Sequence, residues 1–113
     1  MDHIEKFLKA ISDKNRIRII KLLENNPMCV CELAAILETT QPNVSKHLKK
    51  LKNIGIIGSE QNGFWTNYFL IQQDNLNLKI ILNNISNFLK NDKVIKEDLK
   101  KYLKIDRKDI CRK

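Results

Sequence analysis

Thr39-Thr-Gln-Pro-Asn-Val-Ser-Lys-His-Leu-Lys-Lys-Leu-Lys-Asn-Ile-Gly55 joins a helix-start signal to a helical apolar stripe and a basic, polar opposite face. Thr40 is placed to cap the free amides of a first turn, and Pro42 sits near the start, where its missing N–H costs little. Gly55 supplies the stop. Val44, Leu48 and Leu51 recur at i, i+4, i+7 and point to a core. That leaves Gln41, Asn43, Ser45, Lys46, His47, Lys49, Lys50 and Lys52 for the outside. Short amides and hydroxyls suit base edges and lysines suit phosphates, so the segment reads as a DNA-recognition helix.

Working outward, Ile4, Phe7, Leu8 and Ile11 share one helical face, and Ser12 or Asp13 can cap a second helix from Lys14 to Glu24 with Ile17, Ile20 and Leu23 on one side. Asn25-Asn26-Pro27 ends it. A short helix over 32–37 follows, and the tight Glu38-Thr39-Thr40 connection predicts a helix-turn-helix with the recognition segment. Beyond Gly55, two β-branched and aromatic runs flank Gln61-Asn62-Gly63, which predicts a β-hairpin turning on Asn-Gly. From Asp74 the helical period returns, with Leu78, Ile81, Leu82, Ile85, Phe88 and Leu89 on a face widened by Leu76 and Ile80. So broad a stripe wants a second copy of the chain as well as the domain's own core. Asn91-Asp92 interrupts it before a last amphipathic segment. The expected fold is mainly α with a β-hairpin wing, a winged helix-turn-helix dimerising through terminal helices. Residues 1–104 form the domain and residues 105–113 a weakly ordered tail.

The totals agree with one domain. The 113 residues are 42% apolar and carry a formal charge of +8, which favours a polyanionic partner, nucleic acid before an anionic membrane surface. No apolar run approaches the roughly 18 residues of a spanning helix, and the amino terminus lacks the order of a signal peptide, so the expected location is cytoplasmic, with no membrane partner. Three cysteines without an export signal favour reduced thiols over a disulfide framework. The chain shows no nucleophile–base pair, phosphate-cradling glycine loop or carboxylate couple, and an enzyme is not expected.

Three pieces of the chain resemble the ArsR/SmtB family of small dimeric winged-helix repressors, which release DNA on binding a metal or metalloid: Cys29-Val-Cys31-Glu32-Leu33-Ala34, Gln41-Pro-Asn-Val-Ser-Lys-His-Leu48 and Leu51-Lys-Asn-Ile-Gly55-Ile-Ile57. The likeness covers roughly residues 4 to 90, nearly all of the single domain. It implies a homodimer on double-stranded operator DNA, with Gln41, Asn43, Ser45 and His47 reading bases or anchoring phosphates and Lys46, Lys49 and Lys50 on the backbone. One departure is the wing, often arginine-bearing in the family, which has no Lys or Arg between Ile57 and Ile71. Salt-sensitive affinity is therefore expected from the recognition lysines with Lys14, Arg16 and Arg18.

Cys29 and Cys31 lie two apart, which on a regular helix separates their sulfurs by roughly 200°. An extended segment would bring them to one side, and Pro27-Met28 favours one just before the short helix. Thiolates select soft ions, and a helix amino end lowers thiol pKa. The family's arsenic sensors place a third cysteine three residues beyond the pair, where this chain has Ala34; the remaining sulfur is Cys111. Cys29, Cys31 and Cys111 form the expected metal site. Its inducer is trivalent arsenic first, then antimony, with cadmium and lead admissible and no organic cofactor. The family's Asp/His zinc site on the dimer helix is not expected, because residues 75–103 hold no histidine. His3 reads as a solvated surface residue. Two alternatives stay open: a thiol redox or persulfide switch on the same DNA module, and a winged-helix protein-interaction module.

Overall fold

A computed structural model describes residues 1–110; the expected ligand Cys111 lies outside the described residues. Helices α1 (Asp2–Ile11), α2 (Lys14–Leu23), α3 (Val30–Leu37) and α4 (Gln41–Asn53) lead into a hairpin of β1 (Ile57–Asn62) and β2 (Trp65–Leu70). Helices α5 (Leu76–Phe88), α6 (Lys93–Lys104) and α7 (Arg107–Ile110) follow. This is the winged helix-turn-helix expected from the sequence, with α3 and α4 as its two helices and the hairpin as its wing. No helix among the described residues is long and apolar enough to cross a membrane.

The core lies where the first four helices meet the wing root: Phe7, Ile19, Leu33, Ile36, Val44, Leu48, Leu51, Ile56 and Ile57 are all buried. The recognition-helix stripe Val44-Leu48-Leu51 is thus its inner face. Leu8, expected on the inner face of α1, is 46% exposed, and Ala10 is buried instead. Leu8 stands about 100° round the helix from Phe7, beyond the edge of the contact with α2 and α4.

The ends of α4 follow the sequence signals closely. Thr40 caps it by accepting from Asn43 N–H at 3.3 Å. At the far end Gly55 takes φ +82°, while Gly55 and Ile56 N–H donate to the Lys52 and Leu51 carbonyls. That pair of bonds closes a Schellman motif and turns the chain into the wing. Helix α3 ends in a similar way without a glycine. Glu38 takes φ 56°, and Thr39 N–H donates to Ala34 C=O at 3.1 Å. A left-handed non-glycine residue costs about 1 kcal/mol, so other contacts must hold this turn.

In the wing, Asn62 pairs with Trp65, leaving Gly63-Phe64 as the two-residue loop. Gly63 has positive φ (63°) and Phe64 does not, the pattern of a type II′ turn. The expectation that Asn62-Gly63 form the centre of the turn is therefore one residue out of register. Met28, in the segment before α3, exchanges backbone hydrogen bonds with Tyr68 of β2 at 3.0 and 2.8 Å, and so ties the approach to α3 to the wing.

The C-terminal half behaves differently from its apolar pattern. Leu78 is buried, and Ile81, Leu82 and Ile85 pack on the core, but Leu76, Ile80 and Phe88 stay exposed, as do Leu99 and Leu103 of α6. Asp92 caps α6 by accepting from Val94 and Ile95 N–H. Helices α6 and α7 then run back across the helix-turn-helix as a strap, fastened by three ion pairs: Arg18 with Asp98, Glu38 with Lys101, and Glu32 with Arg107. Within the described part of the segment expected as a tail, Arg107 is held by a charge partner 75 positions away in sequence.

The Arg18–Asp98 pair is bidentate, at 2.8 Å for both Nε and Nη2, and Asp98 is 2% exposed. Removing one partner of a buried pair strands the other charge. Asp98→Ala is expected to lower unfolding stability by about 3 kcal/mol, measured by urea denaturation. A change below about 0.5 kcal/mol would mean that the strap adds nothing to the domain.

Candidate nucleic-acid interface and cysteine pair

The outer side of α4 carries the residues expected there. Gln41, Ser45, Lys46, Lys49 and Lys50 are exposed, and Asn43 is half-buried with its amide donating to Thr39 Oγ1 at 3.1 Å. Lys52 reaches the wing, donating to Ser59 Oγ at 2.7 Å, so it joins β1 to the recognition helix. Lys14 is exposed at the start of α2.

Arg16 and Arg18 are not part of this surface. Arg16 is 8% exposed, and its guanidinium donates to the Ala10 and Lys9 carbonyls at 2.5 and 3.2 Å, satisfying the free carbonyls at the end of α1. Arg18 is committed to Asp98. Sequence pattern sees a cation at each position; only the packing of α1 and α6 on α2 shows that both charges are used internally.

His47 also turns inward. Its side chain is 14% exposed, with Nδ1 3.3 Å from Arg16 Nη1 and 3.9 Å from an Asp13 carboxylate oxygen. Arginine can only donate, so Nδ1 is the acceptor and the ring proton sits on Nε2. Burial, reinforced by Arg16, Lys50 and Lys46, lowers the His47 pKa below its usual 6.5 against a smaller opposing pull from Asp13. The ring ties α4 to the start of α2, with a small part of its side chain left open to solvent.

The cysteines meet by a route other than the one expected. Helix α3 begins at Val30, so Cys31 lies inside its first turn while Cys29, at φ −91° and ψ 167°, is its extended N-cap. The change of backbone direction at the cap brings the sulfurs to 3.1 Å, and Cys31 is itself disulfide-bonded, contrary to the expectation of reduced thiols. Glu32 accepts from Cys29 N–H at 3.0 Å, the reciprocal half of a capping box for which Cys-x-x-Glu was a readable signal. Cys29 is 3% exposed, and burial together with the Glu32 carboxylate pushes its thiol up, against the expected lowering by the helix end.

The pair has neighbours that the sequence did not single out. Arg107 donates to Glu32 Oε1 at 2.8 Å and to Asn67 Oδ1 at 2.5 Å, and its guanidinium lies 4.8 Å from the Trp65 ring centroid. Among the described residues, no group of three or more His, Cys, Asp or Glu side chains is arranged to hold a metal.

The His47 environment sets a pH dependence. A lowered pKa means that the folded chain holds fewer protons than the unfolded one, so this stabilisation is complete above the ordinary 6.5 and is lost as pH falls through the lowered value. Melting temperature is expected to fall further between pH 7 and pH 5 in the wild type than in His47→Gln, which keeps an acceptor for Arg16 but does not titrate. Equal falls would remove His47 as the source.

The family model for bacterial regulatory proteins of the arsR family matches residues 13–59, from the cap of α2 into β1. An uncharacterized HTH-type transcriptional regulator of Methanocaldococcus jannaschii is 40% identical over 75 residues, which are 63% of this chain and 84% of that protein. The arsenical resistance operon repressor of Bacillus subtilis is 37% identical over 71 residues, 62% of this chain and 68% of the repressor. The cadmium resistance regulatory protein CadC of Listeria innocua is 34% identical over 76 residues, 66% of this chain and 64% of CadC. Among solved structures, HlyU from Vibrio cholerae superposes with a TM-score of 0.69 over 80% of this chain and 95% of HlyU, a likeness of fold at 23% identity. Fold, recognition helix and relatives agree: the chain belongs to the arsR family of bacterial regulatory proteins and is a winged helix-turn-helix DNA-binding transcriptional regulator, not an enzyme.

Proposed function

We propose that this regulator is a homodimeric repressor which leaves its operator when a thiophilic ion, trivalent arsenic first, binds at Cys29 and Cys31 with Cys111 as third ligand. The observation that carries the reading is the 3.1 Å approach of two sulfurs at the first turn of α3, the helix joined by a three-residue turn to α4. Once Cys31 is reduced, two sulfurs this close could be shared by one soft ion, which would take both as thiolates. The Bacillus subtilis relative is named for arsenical resistance and the Listeria innocua relative for cadmium resistance, and both ions are soft enough for a thiolate pair. Antimony and lead fall in the same chemical class. Neither the redox-switch nor the interaction-module alternative is favoured by the family.

On DNA, Gln41, Asn43 and Ser45 read base edges, and Lys46, Lys49 and Lys50 neutralise phosphates, while His47 holds the helix from behind. The exposed apolar side chains Leu76, Ile80 and Phe88 on α5 supply the face that a second copy covers. The two recognition helices of the dimer would enter successive major grooves about 34 Å apart on a near-symmetric operator. Ion and DNA weaken each other equally, by a coupling of about 1–3 kcal/mol in typical cases.

Cys29→Ser and Cys31→Ser are each expected to keep operator affinity in the reduced protein and to abolish release by arsenite, followed by fluorescence anisotropy of a labelled operator. Release as in the wild type would remove the pair from the site. On the DNA side, replacing Lys46, Lys49 or Lys50 with Gln is expected to reduce the slope of log affinity against log salt by about 1 each. An unchanged slope would take that lysine off the backbone.

A further inference from the structure

Helix α3 is held at both ends by the C-terminal strap. At its carboxyl end Lys101 donates to the Ile36 carbonyl at 3.4 Å and pairs with Glu38, the left-handed residue of the turn into α4. At its amino end Arg107 holds Glu32, the residue whose carboxylate also receives the Cys29 N–H. The same guanidinium reaches Asn67 and covers Trp65, both on β2. One side chain thus touches the cap of the cysteine helix and the wing together. The Trp65 indole N–H, buried beneath it, has no hydrogen-bond partner among the described residues. A buried donor left in this way costs about 1–3 kcal/mol, so the closed arrangement depends on what lies over the ring.

We propose that Arg107 is the positioning residue that carries the state of the cysteine pair to the wing. This rests on the reading of Cys29 and Cys31 as the inducer site. Cys29 is both a sulfur donor and the N-cap, so an ion bound at its sulfur would re-aim the cap and draw its N–H from Glu32. Glu32 then no longer holds Arg107 in place, the fork on Asn67 opens, and Trp65 gains the freedom to turn its N–H toward water. The hairpin, also tied to the cap segment through Met28 and Tyr68, shifts against α4. No bond to Arg107 is made or broken covalently; what changes is which acceptors its five N–H groups share.

Trp65 is the one tryptophan in the chain and reports the step directly. Reduced full-length protein is titrated with arsenite while thiolate absorption, tryptophan emission and operator anisotropy are followed. In the wild type all three are expected to move with one half-saturation point. In Arg107→Gln the absorption band is expected to appear at the same stoichiometry, the arsenite-induced change in emission to vanish, and the ratio of operator affinities without and with arsenite to shrink by about tenfold, within the usual range of coupling. Arg107→Lys keeps the charge but not the two-acceptor fork, and is expected to behave like Gln. Release in both variants equal to that of the wild type, with the band intact, would overturn the role of Arg107 and leave the cysteine site standing. Absence of the band in the wild type would overturn the site and this inference together. A Lys variant that restores full coupling would also overturn it, because charge alone would then suffice.

Discussion

The bond between Glu32 and the Cys29 N–H is a small contact on which much of the molecule converges. It completes the start of an eight-residue helix, too short to be stable in isolation, and α3 stays helical because its ends are satisfied and its Leu33, Ile36 and Leu37 face is buried. The same carboxylate holds Arg107 and thereby the end of the strap. The backbone one residue earlier is pinned to the wing. Cap, strap and wing therefore share one polar junction.

The distribution of positive charge follows from the same packing. A net +8 suggests a surface ready for DNA, yet three arginines are spent inside: Arg16 on the carbonyl end of α1, Arg18 on Asp98 and Arg107 on Glu32. Guanidinium suits this work, since its planar fork serves two acceptors with one fixed geometry. The lysines of α4 remain outside, where a flexible single charge is well matched to phosphate. Division of labour between the two cations, more than the total, leaves α4 as an element with an outward basic face.

The apolar pattern divides likewise. Val44, Leu48 and Leu51 are consumed by the core, whereas the α5 stripe is only partly covered by the chain's own helices. A face of this kind on a small domain is costly to leave in water. The strap does not cover it, because Asp98 and Lys101 turn α6 toward α2 and α3.

Local signals were enough for most of the architecture. Thr40, Pro42 and Gly55 bracket α4 because capping and left-handed turns depend on a few neighbouring residues, and the 3.6-residue period selects the buried side of α4 without knowledge of its partners. The cysteine pair was legible as chemistry but not as geometry, since the first turn of α3 starts two residues earlier than apolar periodicity alone suggested. The fates of Arg16, Arg18, His47 and Arg107 were beyond reach of pattern. The partners that commit them, Ala10, Asp98, Arg16 and Glu32, lie six or more positions away, and a cation committed to a carbonyl or carboxylate reads in sequence just like one facing solvent. By itself, then, the sequence determined the winged helix-turn-helix and the outward basic face of α4. Only the tertiary structure decided which charges are left for DNA and what the cap of α3 is tied to, because those depend on long-range pairings between elements that no local period encodes.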